Sequence, residues 1–283
     1  MAGTRSPFKP GEFVVAWLSR LFIWVVIVLS LVPMLYVASA SFNPGQANYS
    51  ASIIPPHPSF ANYTALFTTT GFWTWIRNST VVGATVALAQ LVMTALAAYA
   101  FSRMRFFGRK YGLMTLILIQ QFPGFLALSA IYAVLAQMSL LDNLWVYIVV
   151  QLGVGAFNIW LMKGYFDTVP RELDEAAIMD GAGHFQVFRH IVLPLARPMM
   201  AVIFFLSIIG TYSEYILAST ILESPQNFTF GMGMFSLVSG QYSTHLWGEF
   251  AAAALISAVP LTLAFALLNP LIAKGMTAGS VKG

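Results

Sequence analysis

Residues 18–40 read Leu18-Ser19-Arg20-Leu21-Phe22-Ile23-Trp24-Val25-Val26-Ile27-Val28-Leu29-Ser30-Leu31-Val32-Pro33-Met34-Leu35-Tyr36-Val37-Ala38-Ser39-Ala40. After Arg20 no acidic, lysine or arginine side chain occurs until Arg77. A helix of about 20 apolar residues crosses a hydrocarbon core of about 30 Å. The run is continuous rather than alternating, which favours a helix over a barrel strand. Five further stretches have the same character: Ser79–Phe101, Gly112–Leu135, Leu144–Met162, Pro198–Ile221 and Phe250–Ala273. The expectation is an all-α, polytopic membrane protein, one transmembrane domain over 1–283 with about six spanning helices. Pro33, Pro123 and Pro260 fall inside spans, where proline kinks a helix.

Composition agrees. Hydrophobic residues make up 58% of the 283 and charged residues 8%, with a mean hydropathy of +0.76. A soluble domain carries roughly 25% charged residues. The net charge of +4 then points to basic cytoplasmic loops rather than to nucleic acid. Cysteine is absent, which removes disulfides, thiolate metal sites and thiol nucleophiles.

The basic residues orient the spans. Arg5, Lys9 and Arg20 precede or open the first, and Arg103, Arg105, Arg109 and Lys110 fill the turn after the second. Lys163, Arg171, Arg189 and Arg197 belong to the loop between the fourth and fifth, and Lys274 and Lys282 to the tail. Of the 14 Lys and Arg, Arg77 alone falls on the other side. The positive-inside rule places both termini in the cytoplasm of a cell-membrane protein. A basic start, an apolar run and Ala38-Ser39-Ala40 also imitate a cleavable signal, but the run exceeds the usual 7–15 residues of such a signal.

Between Lys163 and Pro198 the chain leaves the apolar pattern. Residues 164–197 form a cytoplasmic loop, 222–247 an external one and 274–283 a cytoplasmic tail. Around the first of these lie Asp167, Glu172, Asp174, Glu175 and Asp180, five of the 10 acidic residues. Pro170 suits the first turn of a helix, the acids its positive end, and Gly181 its left-handed stop. A second helix is expected from about His184 to Leu193, with Phe185, Phe188 and Val192 on one face. Composition alone leaves this hairpin open as an ordinary interfacial element.

The order of residues narrows it. Glu175-Ala176-Ala177, then Asp180-Gly181-Ala182, then Ile191, Leu193 and Pro194 resemble, at every fixed position, the E-A-A loop of permeases of ATP-binding-cassette importers. Ala98–Phe106, Lys163–Phe166, Leu246–Ala253 and Gly275–Gly283 are similar to one branch, the MalG-type permeases of maltose and maltodextrin importers. The likeness covers most of the chain beyond Asn78 and is looser before it. It implies a transport subunit, not an enzyme, assembled with a second homologous permease, an ATPase dimer and an extracytoplasmic sugar-binding protein. ATP and Mg would sit on the ATPase, with no cofactor here. Glu175 through Leu193 would dock in a groove of the ATPase, Phe185 and Phe188 filling an apolar cleft, and Thr277, Gly279 and Lys282 would reach the same interface. Galacto-oligosaccharide and cyclodextrin permeases are similar, so the sugar stays open.

Other residues allow two readings each. Glu214 is the acidic residue deepest in a span, and either pairs structurally or lines the path or gate. Gln90, Gln120, Gln121, Gln151 and Asn158 either bond between helices or line the pore. Asn269-Pro270 is expected to end the last helix. His57, His184, His190 and His245 form no ligand spacing, and no phosphate-binding glycine loop occurs. An ion-coupled transporter would need more intramembrane charge and visible internal repeats.

Overall fold

A computed structural model describes residues 10–44, 54–55, 57–121, 124–153, 155–239 and 246–279. Among these the regular structure is all helical, without strands. Helix α1 spans Pro10–Ser41, α2 Ala61–Thr69, α3 Phe72–Arg103, α4 Arg109–Gln120, α5 Gly124–Gln137, α6 Leu144–Leu152 and α7 Ala156–Thr168. Then follow α8 Arg171–Met179, α9 His184–Val187, α10 Leu193–Leu195, α11 Arg197–Ser213, α12 Ile216–Ile221, α13 Phe230–Ser239 and α14 Trp247–Gly279.

Among the described residues three helices are long and apolar enough to cross a bilayer: Val14–Ser41, Phe72–Arg103 and Trp247–Leu271. Two more candidates are bent pairs, α6 with α7 and the His184–Leu195 helix with α11, the latter turning through 78°. The stretch 112–135 is carried by α4 and α5, on either side of residues 122–123, which lie outside the described residues along with the expected kink at Pro123.

Helix α3 is the spine. Its buried positions Phe72, Trp75, Ser79, Val82, Val86, Gln90, Thr94, Ala98 and Ser102 recur every three or four residues. That face packs against α11, α7, α6 and α13, while α14 lies on α11 and α1 on α14. In a bilayer the lipid is as apolar as the side chains, so close van der Waals fit holds helices together. Ala251, Ala252 and Ala253, fully buried on α14, supply such a fit. Gly233 of α13 is another case, because a Cβ there would overlap the Trp75 indole. Helix α1 buries little beyond its last turns, where Val37 and Ala40 meet Ala251; the rest of its apolar surface faces outward.

Three apolar clusters stack along the bundle. One joins Tyr99, Met162, Phe166, Val187, Phe188, Val192 and Ile203 beside α8 and α9. The second sits midway, around Val82, Val86, Tyr147, Ile148 and Ile221. The third, at the far end, joins Leu66, Phe72, Trp75, Tyr212 and Phe230.

Two expectations are corrected. Pro198–Ile221 is not one helix: Glu214 adopts an extended ψ of 121° and divides it into α11 and α12. Nor does Asn269-Pro270 end the last helix, since α14 continues through Pro260 and Pro270 to Gly279. A proline removes one backbone bond and bends a helix in lipid without stopping it.

Candidate functional site

The hairpin of α8 and α9 has a local chemical cause. Glu172 and Asp174 lie in the first turn of α8, at its positive end. At its other end Gly181 sits at φ +91°, the left-handed region that costs a residue with a Cβ about 1–2 kcal/mol. The Ala182 N–H donates to the Ala177 carbonyl (2.9 Å) and the Gly181 N–H to that of Ile178 (3.0 Å). This pair of bonds is a Schellman stop, and it explains why glycine occupies 181. Gly183 opens α9, its N–H donating to Gln186 Oε1 at 2.8 Å.

The hairpin is welded to the end of α3. Arg103 Nε lies 2.5 Å from Asp174 Oδ2, with both side chains at most a tenth exposed. The contact is a close charge pair rather than an aligned hydrogen bond. Arg103 also donates to the Val169 carbonyl (2.9 Å), Ser102 Oγ to Asp167 Oδ1 (2.6 Å), and Tyr99 Oη to the His184 carbonyl (3.1 Å). Lys163 Nζ completes the cluster on Asp167 at 2.5 Å. Sequence reading assigned Arg103 to topology and Asp174 to the helix dipole, and missed that they meet.

Glu175, Ala176, Asp180 and Gly181 are exposed, and Ala177 and Ala182 are half-buried against the first cluster. Ile191, Leu193 and Pro194 are half-buried where the helix approaches α11. One expectation is corrected: Phe185 and Phe188 do not share an outward face. From Phe188 to Val192 the helix widens into a π turn, which Phe188 enters at 6% exposure, its ring 4.9 Å from that of Tyr99. Phe185 is 65% exposed and Met179 86%. Of the two phenylalanines, Phe185 is the one a partner could reach. Thr277 and Gly279 fall in the last turn of α14. Lys282 lies outside the described residues.

Glu214 caps a helix. Its Oε1 accepts the Leu217 N–H (2.7 Å) and its Oε2 the Ala218 N–H (3.0 Å), the open amides of α12. Tyr147 Oη donates to the same Oε2 at 2.8 Å and accepts from Gln151 Nε2 at 2.6 Å. Gln90 Nε2 donates to the Gln151 carbonyl (3.1 Å), Ser207 Oγ to Gln90 Oε1 (2.9 Å), and Asn158 Nδ2 to Ser207 Oγ (3.3 Å). The side chains form a continuous polar thread through α3, α6, α7 and α11. Irregular backbone is tolerated at membrane depth when side chains satisfy it in this way.

At the end of the bundle away from α8, Asp142 ties two loops together. It accepts the Glu223 and Ser224 N–H groups (3.0 and 2.9 Å), the Ser224 hydroxyl and Asn227 Nδ2 (3.0 Å). Burial alone would raise its pKa; the donors from Ser224, Asn227 and Glu223 outweigh it and hold it at about 2.

The described residues thus form an apolar helical bundle with a glycine-stopped hairpin fastened to its spine, and its relatives give the class to which this arrangement belongs. The profile of the family "Binding-protein-dependent transport system inner membrane component" matches residues 90–278. The chain belongs to that family. It is 36% identical over 282 residues, 98% of this chain and 99% of the relative, to the galactooligosaccharides transport system permease protein GanQ of Bacillus subtilis (strain 168). To the maltodextrin transport system permease protein MdxG of the same organism it is 37% identical, over 93% and 95% of the two chains. To the maltose/maltodextrin transport system permease protein MalG of Vibrio vulnificus (strain YJ016) it is 35% identical, over 94% and 96%. A solved bacterial ABC transporter involved in the import of the acidic polysaccharide alginate shares the fold, with a TM-score of 0.76, 21% identity and coverage of 94% and 99%.

Proposed function

We propose that this chain is one of two permease subunits of an ATP-driven importer for maltose and maltodextrins, fed by an extracytoplasmic sugar-binding protein. The observation that carries the reading is the α8–Gly181–α9 hairpin fastened to α3 through Arg103 and Asp174. An exposed apolar knob on a rigidly mounted short helix suits docking in a groove of an ATPase subunit. ATP and Mg belong to that partner. Closure of two ATPases would move the hairpin, and the Arg103–Asp174 pair and the 78° junction with α11 would carry that movement into the spans, alternating their access. With the basic loops inside, both termini are cytoplasmic.

Galacto-oligosaccharides are the second reading, favoured by GanQ, which is similar over 98% of this chain. The test is the complete transporter in proteoliposomes, with the second permease, the ATPase and the binding protein. Binding protein loaded with maltotriose is compared with binding protein loaded with a β-galactotriose, reading stimulated ATPase and uptake. Gly181→Pro is expected to abolish both. Undiminished uptake in that variant would remove the hairpin's role, and stimulation by the galactoside alone would replace the substrate.

A further inference from the structure

Between α4 and α7 runs an open groove of about 860 Å³ whose two ends differ in chemistry. Most of its length is apolar, with Met114, Ile117 and Leu118 of α4 on one wall and Phe157 and Trp160 of α7 on the other. The two rings stack, with centroids 5.9 Å apart and 28° between planes, and each is half exposed. Gln120 closes the deep end, its Oε1 accepting the Phe157 N–H at 3.1 Å. At about 1.5 Å per residue, Arg109 and Gln120 stand about 16 Å apart along α4, roughly half of a hydrocarbon core of about 30 Å. The groove has the depth of one leaflet's acyl chains.

Its mouth is cationic. Four charged side chains line it: Arg109, Lys110, Lys163 and Asp167. The one carboxylate is already engaged, by Lys163 Nζ at 2.5 Å and by the Ser102 hydroxyl at 2.6 Å. Arg109 commits Nε and Nη2 to the Phe101 and Ser102 carbonyls (both 2.9 Å). Lys110 is exposed; its Nζ lies 5.0 Å from the centre of the Tyr111 ring and pairs with no carboxylate among the described residues. Three cations against one paired anion leave the mouth positive. The start of α4 adds to this, because it has neither a side-chain cap nor an acid in its first turn to offset its open amides. Beside it Phe107 is fully exposed. An aromatic ring among basic residues suits the headgroup layer of a bilayer.

An apolar slot one leaflet deep with a positive mouth matches a lipid whose phosphodiester carries no compensating ammonium. A zwitterionic lipid would bring its own cation to the same place. We propose that the mouth at Arg109 and Lys110 seats the phosphate of an anionic glycerophospholipid of the cytoplasmic leaflet, with one acyl chain laid along Met114 and Leu118 beside Trp160. It rests on the importer reading for which side is cytoplasmic. Basic pockets between spans on that side bind anionic headgroups.

The experiment uses the assembled transporter in nanodiscs of phosphatidylethanolamine with a rising fraction of phosphatidylglycerol, the latter carrying brominated acyl chains. A fluorophore on Met114→Cys, attached before assembly to a chain that has no other cysteine, reports quenching inside the slot. Quenching is expected to saturate at a small phosphatidylglycerol fraction, whereas brominated phosphatidylethanolamine quenches only in proportion to its fraction. Lys110→Gln is expected to raise the half-saturating fraction about fivefold, the worth of one lysine at an anionic surface, and Lys110→Arg to leave it near wild type. Equal quenching by the two lipids, or a half-saturating fraction that Lys110→Gln does not move, would overturn the inference. Loss of quenching on adding inorganic phosphate would overturn it too, by marking a site for a free anion. So would an absence of quenching together with a cross-link from Met114→Cys to the second permease, which would mark subunit packing. Sugar uptake is read separately in proteoliposomes. Saturable quenching in a complex that moves no sugar would remove the importer reading and keep the lipid site; uptake without lipid preference would do the reverse.

Discussion

Arg103 in the last turn of α3 and Asp174 in α8 meet at 2.5 Å, joining the most buried of the long helices to the hairpin outside it. A charge pair at this burial adds little net stability, because both ions lose their water. Its consequence is geometric, since neither helix can shift alone without leaving a buried charge unpaired.

Removing one partner is therefore expected to cost more than removing both. Arg103→Met or Asp174→Leu alone should destabilise by about 3–5 kcal/mol, and the double variant should recover much of that loss. Thermal unfolding of the purified assembly, read as a double-mutant cycle, checks this. In the double variant ATPase should run without matching sugar uptake, because the strut is gone although the fold remains.

The Glu214 cap gives a second expectation. Glu214→Ala leaves the Leu217 and Ala218 amides and the Tyr147 O–H without their acceptor, although Tyr147 Oη still accepts from Gln151, at about 1–3 kcal/mol for each buried donor left without a partner. Glu214→Gln keeps an acceptor and should lose much less. Hydrogen exchange over 214–221 in nanodiscs separates the two: fast in the alanine variant, close to wild type in the glutamine variant.

Asp142 makes stability depend on acid. Its carboxyl titrates at about 2, below its ordinary 3.8, so the carboxylate is the form the fold prefers. The contribution is complete above pH 3.8 and is lost as pH falls through about 2. Wild type should lose thermal stability over that window more steeply than Asp142→Asn, which has no such carboxylate. Equal slopes would mean that the loop clamp does not depend on ionisation.

Gly233 should tolerate no side chain. An alanine Cβ would meet the indole of Trp75, itself 4% exposed and packed with Phe72 and Phe230. Overpacking of this kind costs about 1–3 kcal/mol, readable as a lower unfolding temperature. Gly83, where a Cβ would meet nothing within 4 Å, is the control, and Gly83→Ala should be near neutral.

How much of this could be read from the chain follows the range of the forces. Gly181 was legible because a left-handed helix stop is decided within six residues. The run over Pro198–Ile221 misled, because hydropathy sums side chains and does not register that a carboxylate can take over a helix's open amides. Ser213-Glu214 followed by an apolar turn was the available signal. Phe188 was misplaced because an apolar face read from spacing does not say what covers it, and here the chain's own cluster around Tyr99 does. The Arg103–Asp174 pair was not legible at all: many charged residues flank the spans, and only packing chooses which two meet.

The most direct test of the central claim is accessibility of the hairpin. Single cysteines at Met179 and Phe185, exposed by 86% and 65%, can be introduced into a chain that has none. A water-soluble maleimide should label both quickly in the isolated chain and slowly once the ATPase subunits are bound. Labelling of Trp73→Cys, at the opposite end of α3, should not change. Equal labelling of Met179→Cys and Phe185→Cys with and without the ATPase would contradict docking at α8 and α9.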